Sequence, residues 1–149
     1  MSENSSAGDK LLDAWLSLTS TLWNTRIVQT MTFNEAHVMG ILLRGASVDT
    51  PLTATDLIRR THLLKSQMNK ILSTLESKGH ITRLRAQNDR RMAYIELTPQ
   101  GRDAYLAEHA GVEQILESLT NRLGEDRAQH IAADLHDVVT ALDDILPQS

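Results

Sequence analysis

The sequence predicts a mainly α chain, six helices interrupted by one two-stranded β-hairpin. Three observations lead there. Apolar residues recur at three- and four-residue steps through most of the 149 residues, as helices with one buried stripe require. The period drops to two only on either side of a polar tip, over residues 80–97. The stretch Thr53–Gly101 then sets a short helix, a turn, a longer helix and that hairpin in immediate succession: TATDLIRRTHLLKSQMNKILSTLESKGHITRLRAQNDRRMAYIELTPQG.

Residues 1–8, rich in Ser and Asn, read as a disordered tail. Asp9 is a candidate N-cap for a first helix running to about Thr30. Its apolar residues include Leu11, Leu12, Trp15, Leu16, Trp23 and Ile27, with the two tryptophans near one face. Thr32-Phe33-Asn34-Glu35 is a capping-box pattern. It opens a second helix through Val38, Met39 and Leu42 that Gly45 ends. Residues 45–52 read as a loop. Thr53 and Asp56 repeat the capping box for a short helix, 54–60, and Thr61-His62-Leu63 is the turn. In the next helix, 64–78, Leu64, Met68, Ile71, Leu72 and Leu75 form one stripe. Lys65, Ser66, Gln67, Asn69, Lys70, Ser73 and Thr74 lie outside it, and Gly79 caps the end. Strands are expected over 80–86 and 92–97, joined by Gln87-Asn88-Asp89-Arg90-Arg91. Thr98-Pro99 starts a fifth helix, with proline where its missing N–H costs nothing. Gly124 breaks it, and a sixth helix, 125–146, places Ile131, Leu135, Val138, Leu142 and Ile145 at heptad-like spacing.

Apolar residues make up 41% and charged residues 23%, the balance of one soluble domain. The chain has no cysteine, which excludes disulfides, thiolate metal sites and thiol-based redox sensing within it. No apolar run spans a membrane and the first residues form no secretory signal, so a cytoplasmic location is expected. Net charge is -4, but its distribution is lopsided. From Arg59 to Arg102 ten Lys and Arg stand against three acids; the rest of the chain has five basic and sixteen acidic residues. A phosphate backbone needs a local basic surface, not a basic protein. The outer flank of helix 64–78 carries Lys and short hydrogen-bonding groups and no acid before Glu76. A helix placed to enter a DNA groove has that face, and paired arginines on a narrow ribbon suit a minor groove.

Two segments carry a family resemblance. Asn88-Asp89-Arg90-Arg91, followed by Leu97-Thr98-Pro99-Gln100-Gly101, is similar to the wing signature of the MarR family of bacterial winged helix-turn-helix regulators, Asp-x-Arg and then Leu-Thr-x-x-Gly. Leu72 to Arg83, LSTLESKGHITR, resembles the family's passage from recognition helix to first wing strand. The resemblance covers about residues 9–146. It implies a two-fold helical dimer, with dimerisation helices over 9–30 and 98–146, a winged DNA-binding region over 31–97, and an imperfectly palindromic operator. The function it implies is a sequence-specific transcriptional regulator, a repressor by family habit. Ser66, Gln67, Asn69 and Lys70 match the family positions that face the major groove, with Gln67 and Asn69 suited to adenine and Lys70 to guanine or phosphate. Lys65 near the helix start, and Asn69 where Ser or Thr is usual, depart from many relatives and bear on operator sequence. Thr53, Thr55, Thr74, Arg83 and Arg85 match phosphate-positioning sites. Arg90 and Arg91 would form the wing tip with Asp89 as clamp, either arginine entering the groove. A small-molecule effector would sit near Trp15, Trp23, Met31, His37 and Met39.

Other readings have less behind them. His130, Asp134, His136 and Asp137 lie close on the sixth helix, but no phosphate loop, nucleophile elbow or HExxH accompanies them. No enzyme, catalytic residue or cofactor is therefore expected. A zinc-responsive regulator of the same fold would draw on His37, Glu108 and His109, but lacks the His-rich tract and cysteine ligand of zinc-sensing relatives, so no metal is expected. A winged helix serving only as a protein-interaction module would favour exposed aromatics, and the chain has one Phe and two Tyr.

Overall fold

A computed structural model describes residues 5–24, 28–45, 51–85 and 92–146, apart from the side chain of Trp23. In order, the elements are α1 (Ala7–Asn24), α2 (Phe33–Gly45), β1 (Leu52–Thr53), α3 (Ala54–Thr61), α4 (Lys65–Ser77), β2 (Ile81–Arg85), β3 (Ala93–Leu97), α5 (Pro99–Leu123) and α6 (Glu125–Ile145). They divide into two units, Met1–His109 and Ala110–Ser149, the boundary falling within α5.

In the first unit the caps set the helix starts. The cap of α1 is Ser6, not Asp9. The Asp9 N–H donates to Ser6 Oγ at 3.1 Å, and the Ser6 N–H and hydroxyl donate back to the Asp9 carboxylate at 3.0 and 2.8 Å. These bonds hold the Asp9 carboxyl below its ordinary pKa. α1 is described over Ala7–Asn24, and residues 28–30, expected to continue the same helix, are not helical. Both expected capping boxes form. Thr32 and Glu35 exchange bonds at 3.1 Å in each direction, and Thr53 and Asp56 at 2.9 and 3.2 Å. α3 then closes on His62 in the left-handed region, φ 59°.

The sheet has three strands, ordered β1-β3-β2 and antiparallel throughout. The hairpin is the expected one. β1, two residues long, is too short to show alternation and occupies the end of what read as a loop. It pairs Leu52 with Ile95 and Thr53 with Tyr94, which ties the N-terminus of α3 to the wing.

The core of this unit joins Val38, Met39, Ile41 and Leu42 of α2, Leu57 of α3, Met68, Leu72 and Leu75 of α4, Ile81, Ile95 and Tyr105. Each such side chain removed from water contributes roughly 1.5–3 kcal/mol. One expected core residue lies elsewhere. Leu64 precedes the first turn of α4 and is 56% exposed. Leu84 projects from the face of β2 opposite Ile81 and is also exposed. Beneath the wing, backbones approach closely. The Thr98 N–H donates to the His80 carbonyl at 2.9 Å, and the Thr98 hydroxyl donates to the Gly79 carbonyl at 2.6 Å. A Cβ on Gly101 would lie 2.1 Å from the His80 oxygen, so only glycine fits there.

In the second unit Gly124, at φ 87°, separates α5 from α6. No residue of α6 is buried, and Ile131, Leu135, Val138, Val139 and Ile145 are all exposed. Among the described residues, no helix is long and apolar enough to cross a membrane.

Candidate nucleic-acid interface

Helix α4 is seated by its rear stripe, with Met68, Leu72 and Leu75 fully enclosed. That fixes its rotation and turns Lys65, Ser66, Gln67, Asn69 and Lys70 outward together, all exposed. Its first turn contains no acid. Instead Gln67 reaches back, and its Oε1 accepts from the Leu64 N–H at 2.9 Å. Leu64 has no side-chain oxygen, so this amide does the work that a Ser or Thr cap shares at the other helices.

Beside α4 lies a groove of about 540 Å³. The start of α3 (Thr53, Ala54, Thr55, Asp56), Arg59, Arg83 of β2, and Met92, Ala93 and Ile95 line it. Helix N-termini attract anions. Thr55 is exposed there. The Thr53 hydroxyl, by contrast, donates to Asp56 Oδ2 at 2.9 Å, so its hydrogen is spent within the chain. Backbone hydrogen bonding from Thr53, opposed by partial burial and aided by the Thr53 hydroxyl and by Arg59 and Arg60, keeps the Asp56 carboxyl ionised below its usual range. Arg59, 3.6 Å from Asp56, was not singled out in the sequence. The signal for it is its i,i+3 spacing from the capping acid.

Arg83 leans across onto α4. Its Nε stands 3.6 Å from Glu76 Oε2, and its Nη2 lies 3.5 Å from Ser73 Oγ. The guanidinium is thereby held between the groove and the long helix. Arg85, opposite Ala93 in the register, is exposed at the outer end of β2. The Thr74 hydroxyl donates to the Lys70 carbonyl at 3.0 Å, so, as at Thr53, it has no hydrogen left to give a phosphate. Lys78 pairs with the buried Glu35 at 3.3 Å and serves the fold. Asp89, Arg90 and Arg91, the expected wing tip, lie outside the described residues.

The residues expected around an effector are differently placed. Trp15 is 53% exposed on α1, and Met31 packs against the core edge. Met39 is fully enclosed and could meet a ligand only if the core opened. His37 is exposed. Partial loss of hydration first, then the Arg44 guanidinium, lowers its imidazole pKa from the ordinary value. The side chain of Trp23 lies outside the described residues.

Glu108 on α5 has a role that its sequence position did not show. It accepts from the Gln29 N–H at 2.8 Å, from the Thr30 hydroxyl at 2.8 Å and from the Thr30 N–H. Burial raises its pKa, but these bonds and one from the Met31 N–H outweigh that and hold the carboxyl low. The neighbouring His109 stacks on Tyr105, with ring centroids 5.1 Å apart. Neither residue is arranged around a metal, and among the described residues no three His, Cys, Asp or Glu are grouped to bind one. His130 on α6 is bonded through Nδ1 to the Asp126 carbonyl at 2.6 Å, an arrangement internal to its own helix.

Residues 29–92 match the family model described as MarR family. The chain is 25% identical over 109 residues to the homoprotocatechuate degradative operon repressor of Escherichia coli, covering 73% of this chain and 71% of that one. It is 27% identical over 86 residues to the HTH-type transcriptional regulator FarR of Neisseria gonorrhoeae, which spans 58% of this chain and only 59% of FarR. Among solved structures, the S. aureus MepR–DNA complex superposes with a TM-score of 0.72 at 21% identity, over 87% of this chain and 96% of that one. NadR in complex with 4-hydroxyphenylacetate superposes at 0.69 and 21% identity, over 93% and 95%.

Proposed function

We propose that this chain, whose residues 29–92 match the MarR family model, is a winged helix-turn-helix transcriptional regulator of that family that acts as a homodimeric repressor on a palindromic operator and is released by a small molecule. One observation carries the DNA-binding part. Five polar or basic side chains stand exposed on the outer flank of a helix whose rear stripe is fully enclosed, beside a groove that joins a helix N-terminus to Arg83. Lys65 and Lys70 neutralise phosphates, and Ser66, Gln67 and Asn69 meet base edges. Thr55 and the α3 N-terminus, with Arg83 and Arg85, hold the backbone in register. Thr53 and Thr74 act through the helices they brace. Arg90, Arg91 and Asp89 extend the contact along the wing.

Dimerisation is supported by the apolar residues that the chain leaves in water: Leu12, Trp15 and Leu16 on α1, Ile115 and Leu119 on α5, and the α6 stripe. Two recognition helices related by a two-fold axis would read half-sites about 34 Å apart. Effector release rests on likeness alone, since NadR is a relative in fold that has been seen with a small aromatic acid. Trp15, Trp23, Met31, His37 and Met39 remain the residues proposed to meet such a ligand.

The test is titration of the purified chain against genomic DNA fragments at several salt concentrations. Binding that weakens steeply and linearly in log-log form as salt rises is expected. Salt-independent binding, or none to any duplex, overturns the reading.

A further inference from the structure

Among the described residues, four α-helices of the first unit open with a reach-back bond, and they do so with different chemistry. Helix α1 uses Asp9, α2 uses Glu35 and α3 uses Asp56, all acids, whereas α4 uses the neutral amide of Gln67. An acid at this position is the stronger partner for a helix N-terminus. On α4 the amide keeps the cap without adding a negative charge to the flank that carries Lys65 and Lys70. That choice has a cost in recognition. A backbone N–H is only a donor, so the atom facing Leu64 must be the amide oxygen. Adenine is read by an amide whose oxygen and nitrogen both point at the base edge, one accepting from N6 and the other donating to N7. With its oxygen turned back 2.9 Å onto the Leu64 N–H, Gln67 cannot present that pair. What it offers outward is its NH2 group, two donors and no acceptor.

We infer that Gln67 is a donor-only specificity residue that selects guanine, whose N7 and O6 stand side by side as acceptors in the major groove, rather than adenine. This replaces the adenine preference expected from its residue type, and it rests on the reading of α4 as the recognition helix. Asn69, which carries no such bond among the described interactions of the helix start, is not subject to the same restriction.

The test selects bound sequences from a random duplex library with the intact chain and with Q67M and Q67E. The wild-type motif should hold, in each half-site, one guanine preferred by on the order of tenfold over adenine. Q67M should erase the preference at that position alone and lower the Tm, since the cap goes too. Q67E keeps the cap and the Tm but replaces donors by acceptors. Its preference should move to cytosine or adenine, which present an amine. Because the added charge weakens binding to every sequence, the ranking of bases is compared, not the affinity. A wild-type adenine at the position these variants alter overturns the inference, as does an unchanged motif in both variants. If the wild-type chain enriches no sequence at all, the DNA-binding reading itself falls and takes the inference with it.

Discussion

Helices α4 and α6 carry the same kind of apolar stripe and end in opposite surroundings. In α4, Met68, Leu72 and Leu75 are sealed against α2, α3 and the sheet. In α6, not one residue is buried, though Ile131, Leu135, Val138 and Val139 follow helical spacing just as faithfully. Periodicity therefore reports that a face needs cover without saying where the cover comes from. For α4 the rest of its own unit supplies it; for α6 a second copy is proposed to. The outer faces differ accordingly. α4 has no acid in its first turn, whereas α6 opens with Glu125 and Asp126. An acid complements the positive end of a helix, so α6 has that potential met within its own first turn and α4 does not.

The contrast can be broken most forcefully at Leu72. Leu72→Ala should lower unfolding free energy by about 2–5 kcal/mol in chemical denaturation. Leu135→Ala sharpens it from the other side. A half-exposed leucine facing only water would change stability by about 0.5 kcal/mol or less. Covered by a second copy, it should cost about 2 kcal/mol or more, and the Tm should rise with protein concentration. A concentration-independent Tm would return α6 to solvent. At the start of α3, Thr53→Ala should cost about 1 kcal/mol through loss of the cap, read by thermal unfolding, with a modest loss of DNA affinity following. Lys70→Ala leaves the fold intact and should reduce the salt slope of binding by about 1 if Lys70 meets a phosphate. An unchanged slope with a changed motif would assign it to a base. The smallest effect is at Glu108. Its folded pKa lies below the ordinary 4.5, so it contributes stability above about pH 4.5 and loses it as pH falls through the lowered value. Glu108→Gln should therefore be less stable than wild type at pH 7, and the two should converge in acid, as followed by thermal melts across pH.

Much of this was legible because it is local. Thr32 with Glu35 and Thr53 with Asp56 are three residues apart, and their boxes formed as spelled. Of the stripe expected on α4, Met68, Leu72 and Leu75 are enclosed as spacing alone requires, while Leu64 is not. The misses have non-local or ambiguous causes. The chain at Gln29 and Thr30 leaves the helix and is bonded to a carboxylate 78 residues further on, which no window over α1 contains. β1 exists because Ile95 and Tyr94 pair with it, not through its own two residues. Asp9 was named as cap because Asp is a good one, but Ser6 lies three residues ahead and the pair works in the other order. Residue type suits Gln67 to adenine, but it does not reveal that the amide oxygen turns back onto the Leu64 N–H. The resemblance to the MarR family, by contrast, was carried by the wing signature before any coordinate, and residues 29–92 match that family's model.

The bare contact of Gly101 with the His80 carbonyl has a mechanical consequence. Two backbones joined this tightly, with the Thr98 bonds alongside, have no lubricating layer of side chains in which to slip. The hairpin is in effect welded to the foot of α5, so any tilt of that helix must swing β2 as a lever instead of being absorbed at the joint.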